Sequence, residues 1–253
     1  MDWNSFIITI SVFTFATLEH QFPYVIYVSS LYQRTHTNLL LGFLNTSINH
    51  VTISVALNWV LQQTSGPELL ALIPNSNLQL LLVLIILDLY LYFWHRMMHS
   101  WRWVWGFHYI HHTEHQVNTS TAYRFHPVEA IASNIPKLLL IWLLGIEINQ
   151  LLAYELILAI SLMFQHSNWS LPTPVEQILG YVFITPNIHR THHAKNLQQS
   201  NSNFGSVFCI WDKFFNTFYH PWKLPPNEPE VIGKFSKLNI WQLLILPLVI
   251  QKR

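Results

Sequence analysis

Apolar segments of membrane-spanning length are the feature that most restricts how this chain can fold. A helix needs about 20 apolar residues to cross the hydrocarbon core of a bilayer. The candidate segments are residues 6–30, 39–61, 78–94 and 131–166. The last of them is long enough for a hairpin of two helices that turns near residues 145–149. A shorter apolar tail, residues 238–250, is expected to lie in the membrane interface or to dip into it.

The composition favours an all-α integral membrane protein. Of the 253 residues, 51% are hydrophobic and only 10% are charged, whereas a typical soluble domain carries about 25% charged residues. We therefore expect one membrane-embedded domain over residues 1–253, with about four transmembrane helices and the N-terminal ones within residues 6–94. The first basic residue is Arg34, so the basic start of a cleaved signal peptide is missing and the first apolar segment is predicted to be retained.

Charge and cysteine counts exclude several other classes of function. The net charge of +1 gives no indication of a nucleic-acid surface, so no nucleic-acid partner is expected. Cys209 is the single cysteine of the chain. An intrachain disulfide and a metal site built from thiolates are therefore both excluded.

The distribution of Lys and Arg predicts the orientation in the membrane, because cytoplasmic loops carry an excess of these residues. If the first two apolar segments form a hairpin, the loop that holds Arg34 lies on the same side as everything after Trp94. The basic residues of that later region include Arg96, Arg102, Arg124, Arg190, Lys195 and Lys213. The opposite loop, residues 62–77, contains no Lys or Arg. The region after Trp94 is therefore predicted to be cytoplasmic.

Eight histidines of that region form three tight clusters. Their spacings are H-x-x-x-H, H-x-x-H-H and H-x-x-H-H, and residues three or four apart share one face of an α-helix. Each cluster can therefore direct its imidazoles toward one point. Imidazole suits iron, zinc, copper and nickel, and eight ligands exceed the need of one ion, so the spacing predicts a two-metal centre. The clustered residues are His95, His99, His108, His111, His112, His189, His192 and His193.

Two further residues lie where they can serve the same centre. Asp88 is an acid within an apolar run, in helical register with His95 and His99. We predict that it accepts a hydrogen bond that orients a ligand imidazole, with a polar contact between helices as the alternative. His166 ends the fourth apolar segment and is expected to reach the same membrane boundary. It is either a ninth ligand or a supporting histidine of the core.

Two more histidines flank the second cluster. His115 follows His108 by seven residues, which would place both on one helix face, so it is either a ligand or a supporting residue. His126 precedes Pro127, with Glu129 in the following turn. We expect His126 to begin a helix near the site and not to bind metal.

Local patterns predict how parts of the region around the clusters fold. Thr185 can cap a helix that begins at Pro186 and carries the third histidine cluster.

Aromatic residues within 101–109 either line an entrance for a lipid chain or form a belt at the membrane surface. Those from Phe204 to Phe218 recur at helical spacing, which suits an amphipathic helix that covers the site or rests on lipid. Ordinary core packing is the default expectation for them.

The order of the histidine clusters in a multi-spanning chain resembles the fatty acid hydroxylase superfamily, also called the sterol desaturase family. The similarity extends over about residues 88–218, which we expect to form the catalytic region. Further matching segments are NTSTAYRFHPVE (118–129), QHSNW (165–169), TPNIHRTHHAKN (185–196) and NFGSVFCIWDKFFNTF (203–218).

The resemblance implies a non-haem di-iron centre that uses O₂ to attack an unactivated C–H bond of a membrane lipid, by hydroxylation or desaturation. The ligands implied are the eight clustered histidines, with His166 at the position of a further one. Zinc is a possible substitute for iron. Related sequences often have an Asp where this chain has Asn201, whose side chain can still accept a hydrogen bond. The chain has no haem, iron–sulfur or G-x-G-x-x-G motif, so a separate ferredoxin-like or cytochrome-type electron donor is expected.

Two other classes of function stay open at this stage. A metal transporter or metal-storage protein would also use membrane histidines, but its ligands should line a path at several depths. A non-catalytic membrane protein with structural zinc is the second alternative, because imidazole does not distinguish zinc from iron.

Overall fold

The computed structural model describes residues 3–26, 31–62, 66–221 and 238–250. Within these ranges the chain is helical, and extended pairing is limited to two isolated bridges. The helices are α1 (Trp3–Gln21), α2 (Leu31–Leu61), α3 (Ser76–Ser100), α4 (Arg102–His112), α5 (Pro127–Leu144), α6 (Ile148–His166), α7 (Thr173–Leu179), α8 (Pro186–His192), α9 (Leu197–Ser200), α10 (Ile210–Phe214) and α11 (Ile240–Val249). Short 3₁₀ helices lie at Leu69–Leu72 and Thr119–Tyr123. The prediction of an all-α fold is confirmed.

Four helices are long and apolar enough to cross a membrane. They are α2, over Arg34–Leu61, together with α3, α5 and α6. The predicted multi-pass membrane protein is therefore confirmed, and its four spans arise from three of the four apolar segments, since the last segment supplies both α5 and α6.

The first apolar segment differs from its prediction. α1 ends at Gln21 and is not among the four described helices that could span a membrane, while residues 27–30 lie outside the described residues. Glu19, near the end of α1, accepts hydrogen bonds from the Thr119 N–H at 2.9 Å and the Asn168 N–H at 3.0 Å. These contacts tie α1 to the loops around the histidines, where a carboxylate has donors that a bilayer core would not provide.

α5 and α6 form the predicted hairpin. α5 ends at Leu144 and is capped by Gly145, whose φ of 68° is the left-handed conformation that glycine adopts without strain. α6 then returns antiparallel to α5, and both pack against α3. Leu87 of α3, Ile141 of α5 and Tyr154 of α6 belong to the buried cluster between these helices. Because α3 and α6 both run toward the histidines while α5 starts beside them, three helix ends meet at one boundary.

The apolar tail covers α4. Leu243 and Leu246 of α11 are buried against Ile110 of α4 and Leu41 of α2. Gly106 permits this close packing, because a Cβ at that position would lie 3.3 Å from the Pro247 backbone. α11 therefore forms part of the wall around the second histidine cluster.

An amphipathic helix over the whole of residues 204–218, which the aromatic spacing would allow, is not formed, and Phe204 and Val207 are buried as core packing predicts. Only Ile210–Phe214 is helical, and the preceding residues form a loop. Two buried carboxylates stabilise this loop. They accept hydrogen bonds from backbone N–H groups that, in a helix, would donate to backbone carbonyls. Asp212 accepts from Phe204 and Gly205, both at 2.8 Å, and Asp88 accepts from Val207 at 2.9 Å.

Candidate metal centre

The ends of α3 and α4 bring the first two histidine clusters together. His95 and His99 lie one turn apart at the end of α3, and α4 folds back so that its own histidines face them. The Nε2 atoms of His95 and His108 are 3.1 Å apart, and those of His99 and His112 are also 3.1 Å apart.

The third cluster meets His166 on the other side of α4. As predicted, α8 begins at Pro186 after Thr185. It places His189 with its Nε2 atom 2.9 Å from that of His166, which in turn lies 3.0 Å from the Nε2 atom of His111. His166 thus joins the clustered histidines rather than the apolar core.

Nine imidazoles form two adjacent groups in which the ligand nitrogens lie within 4.8 Å of one another. The groups touch, since the ring centroids of His112 and His193 are 4.6 Å apart. Eight of the nine side chains are buried, and His95 is half-buried. The first group contains His95, His99, His108, His112 and His192. The second group contains His111, His166, His189 and His193.

The spacing of the nitrogens fits ligation of metal ions. Neighbouring ligands at right angles, each about 2.1 Å from one ion, have nitrogens about 3.0 Å apart, and the five closest Nε2 pairs measure 2.9–3.2 Å. Within the described residues, the Nε2 atom of His192 is buried without a hydrogen-bond partner, while its Nδ1 atom contacts the Ser202 carbonyl. An unpaired nitrogen in a buried cluster is costly, and a bound metal ion would satisfy it.

Five histidines of the two groups, all outside the candidate membrane helices, are held in the neutral form. Burial, and next the nearby histidines, lower the pKa of His111, His112, His189, His192 and His193 well below the usual 6.5. Neutral imidazole is the form that binds metals. Protonation therefore does not compete with metal binding near neutral pH.

Carboxylate and carbonyl oxygens of the protein orient several imidazole rings by accepting a hydrogen bond from Nδ1, the ring nitrogen that does not face the other histidines. Glu129 lies 2.8 Å from Nδ1 of His108, and the Phe204 carbonyl lies 2.9 Å from Nδ1 of His95. The Ser202 carbonyl accepts from Nδ1 of His192 at 2.7 Å. Such contacts fix the tautomer and the orientation of a ligand ring. No local sequence pattern indicates these partners, although Glu129 is part of the segment RFHPVE that matches the family.

Asp88 has a different role from the predicted contact with an imidazole. Its carboxylate accepts hydrogen bonds from the Val207 N–H, the Phe208 N–H at 3.2 Å and the Trp211 indole N–H at 2.8 Å. It therefore anchors the loop that supplies the Phe204 carbonyl to His95. The effect of Asp88 on the ring is indirect.

The remaining candidates lie outside the two histidine groups. α4 ends at His112, so His115 is not on the helix face of His108 as expected. His126 begins α5 as predicted, with its Nδ1 atom accepting from the Val128 N–H at 3.0 Å. Asn201 is exposed at the end of α9, and the adjacent Ser202 contacts His192 instead.

A buried ionic network joins α2 to the segment that follows α4. Arg124 donates to Asn38 at 2.8 Å and to the Ile110 carbonyl at 3.0 Å, and Arg34 lies 3.3 Å from Glu114. The Arg124 backbone carbonyl is also 3.3 Å from Nδ1 of His111. This network connects the membrane helix α2 to the histidine groups.

A cavity of about 320 Å³ opens beside both groups, toward the membrane helices. Its wall includes His108 and His166 at one end and Lys137 at the other. Trp94 and Leu158 contribute apolar surface. The arrangement can therefore hold a ligand next to the metal-binding nitrogens.

The comparisons with known proteins agree with this geometry. The ornithine lipid hydroxylase OlsE of Rhizobium tropici is 30% identical over 59% of this chain and 44% of its own. Alkylglycerol monooxygenase of Caenorhabditis elegans is 31% identical over 60% of this chain and 28% of its own, and that of Homo sapiens is 29% identical over 58% and 31%. The chain thus spans less than half the length of these relatives. No solved structure matches it.

The family model for fatty acid hydroxylases matches residues 80–217, more than half of the chain. This range runs from the second turn of α3 to the loop after α10 and includes all nine histidines of the two groups. The chain belongs to the fatty acid hydroxylase family.

Proposed function

We propose that this protein is a membrane-bound lipid hydroxylase whose nine histidines hold two iron ions. The observation that carries the proposal is the pair of adjacent groups, one of five and one of four imidazoles. Neither group contains a carboxylate or thiolate ligand, so the donor set is the nitrogen type that suits iron, zinc and copper.

The family and the relatives support iron and O₂ chemistry over a structural role. The relatives named above are a lipid hydroxylase and alkylglycerol monooxygenases, so hydroxylation is favoured over desaturation. When bound, two ferrous ions would supply the means to reduce O₂ and oxidise a C–H bond. The overall reaction consumes the lipid C–H, O₂, two electrons and two protons, and gives an alcohol and water. The electrons would come from a separate ferredoxin-like or cytochrome-type donor.

The chain's own residues hold and shield the centre. Glu129 and the Ser202 and Phe204 carbonyls keep the imidazoles in the tautomer that leaves Nε2 toward the centre. Burial of the histidines excludes bulk water, and the cavity positions one part of the lipid beside them. Accurate positioning of the reacting bond is a major contribution to rate.

The placement of the histidines favours an enzyme over a metal conduit. His95 and His99 lie at the end of α3, His166 lies at the end of α6, and α5 starts at Pro127 beside them. All nine histidines therefore gather at one end of the four apolar helices. A transport path would need ligands at several depths of the bilayer.

We propose that this end faces the cytoplasm. The support is the excess of Lys and Arg after Trp94 and their absence from residues 62–77. A cysteine-reactive, membrane-impermeant reagent should label a cysteine placed at exposed Glu68 from outside intact cells and fail to label one placed at exposed Gln198. The reverse labelling would contradict the orientation.

Lipid analysis tests the proposed activity directly. Cells that express the protein under ¹⁸O₂ should accumulate a lipid with one ¹⁸O atom, and cells that express the His111→Ala variant should not. A lipid that loses two hydrogens without gaining oxygen would instead indicate a desaturase. Identical lipid profiles in both strains would contradict an oxygenase.

A further inference from the structure

Trp105 of α4 packs against the histidines of the first group. The centroid of its indole ring lies 4.8 Å from that of His99, 5.5 Å from that of His112 and 6.2 Å from that of His108. These separations are typical of aromatic rings in contact, so one indole touches three of the five imidazoles. Trp105 is itself only half-buried. Its ring therefore reaches from the buried imidazoles to the surface of the protein.

The surface beside Trp105 lies beyond the apolar part of α3. This helix has 25 residues and is therefore about 37 Å long, whereas the hydrocarbon core of a bilayer is about 30 Å thick. Its apolar run ends at Trp94, and the corner at Trp101 that leads into α4 lies about 10 Å further along the helix. Arg102 follows this corner and shares one face of α4 with Trp105, three residues later. Because Arg102 is exposed, a positive charge lies at the surface next to the indole.

The exposed charges at the histidine end of the described chain are basic. Arg102, Lys195 and Lys213 are exposed there. The carboxylates that follow α3 at this end are buried, each with at most 6% of its surface exposed, and they are Glu114, Glu129, Glu176 and Asp212. Within the described residues this end therefore presents positive charge to solvent without an exposed carboxylate.

These two features together suit the docking of an electron carrier. The proposed reaction consumes two electrons, and electron tunnelling slows exponentially with distance. A carrier therefore has to dock where a group in contact with the centre reaches the surface, and Trp105 is such a group. Complementary charge speeds the encounter between two proteins. Complexes between redox proteins are small and weak, so a few exposed cations are sufficient to orient an acidic partner.

Resting on the proposed function, we propose that an acidic one-electron carrier protein docks on the face around Arg102 and that its electrons reach the first histidine group through the indole of Trp105. Each docking oxidises the carrier by one electron and reduces the proposed metal pair by one electron. Two dockings supply the two electrons that one hydroxylation consumes together with O₂ and two protons.

Binding of a carrier tests the docking face without any lipid turnover. The full-length protein in phosphatidylcholine nanodiscs is exposed to an acidic plant-type 2Fe–2S ferredoxin, and to the same ferredoxin with its carboxylates amidated. We expect the native ferredoxin to bind with an affinity that falls as salt is added, and the amidated form to bind severalfold more weakly. Arg102→Glu should also weaken binding severalfold. Gln62→Glu, at an exposed position at the opposite end of the membrane helices, is the control that should leave binding unchanged.

The rate of reduction tests the route through Trp105. Reduced ferredoxin is mixed with the oxidised, iron-loaded protein in the absence of O₂ and lipid, and the absorbance of the ferredoxin gives the rate of electron transfer. Trp105→Leu should lower this rate severalfold or more, with ferredoxin affinity and iron content unchanged. Trp103→Leu is the matched control and should keep the full rate, because Trp103 is 88% exposed and no ring contact joins it to a described histidine. If Trp105→Leu fails to fold, Arg102→Glu carries the test.

The outcomes distinguish this inference from the proposed function. Salt-sensitive binding and reduction that depends on Trp105, without any O₂-dependent lipid product, support the inference and contradict the hydroxylase. An ¹⁸O-labelled lipid in cells, together with equal binding of native and amidated ferredoxin or binding of neither, supports the hydroxylase and overturns the inference. Equal rates of reduction for Trp105→Leu and Trp103→Leu overturn the route through Trp105.

Discussion

His108 makes both kinds of contact that a metal-binding histidine requires. Its Nε2 atom faces His95, and its Nδ1 atom lies 2.8 Å from the Glu129 carboxylate. An anionic acceptor raises the basicity of the ring and holds its orientation. We therefore expect the proposed metal centre to depend on Glu129.

Replacing Glu129 with Gln tests this dependence. The amide can still accept a hydrogen bond but lacks the negative charge, so metal affinity should fall by about 10–100-fold. Titration with a competing chelator measures the change. Glu68→Gln, at an exposed position at the opposite end of the membrane helices, is the matched control. Equal affinity in both variants would exclude a role for the Glu129 charge.

The histidines themselves separate into proposed ligands and bystanders. His111→Ala and His192→Ala should abolish turnover and reduce the metal content of the purified protein, because each removes a nitrogen from one of the two groups. His220 is exposed and outside both groups, so the His220→Ala variant should retain both its turnover and its metal content. Full activity in either of the first two variants would refute the ligand assignment.

The sequence was informative about the individual histidines. It was less informative about the groups that accept hydrogen bonds from their rings. The i, i+3 and i+4 spacings were sufficient to predict that His108, His111 and His112 share one face of a helix. The acceptors could not be predicted, because the Phe204 and Ser202 carbonyls reach the rings only through the tertiary fold, and any residue can supply a carbonyl.

Among the elements, the loop before α10 connects the membrane helix α3 to the centre. Asp88→Asn should disturb it, because the three N–H donors around the carboxylate would meet an amide that also has hydrogens. The free energy of unfolding should fall by about 1–3 kcal/mol, measured by thermal unfolding in detergent. Trp211→Phe removes only one donor and should have a smaller effect. Unchanged stability in both variants would contradict the anchoring role.

The same loop explains why a helix does not extend over the whole of residues 204–218. The aromatic spacing is compatible with a helix, but Asp88 and Asp212 capture the N–H groups of four residues in the loop. Asp88 lies more than a hundred positions away in sequence. No local pattern therefore reveals that its carboxylate competes with a helix for these N–H groups. The hairpin of α5 and α6 was predictable because its turn carries a local signal, Gly145.

For the whole molecule, hydropathy was sufficient to predict four membrane helices and an all-α fold. It was not sufficient for α1, whose apolar residues suggested a span but whose Glu19 is bound to Thr119 and Asn168. The proposed two-metal arrangement rests on both levels of information. The sequence predicted that the ligands are numerous, and the fold distributes them into groups of five and four.

Metal analysis of protein purified without oxygen is a direct test of the proposed di-iron centre. We predict two iron ions per chain in the protein that forms an O₂-dependent lipid product. Chelation should remove both ions and the activity, and ferrous iron should restore them. Stoichiometric zinc in the native, active protein, or one metal ion per chain, would contradict it.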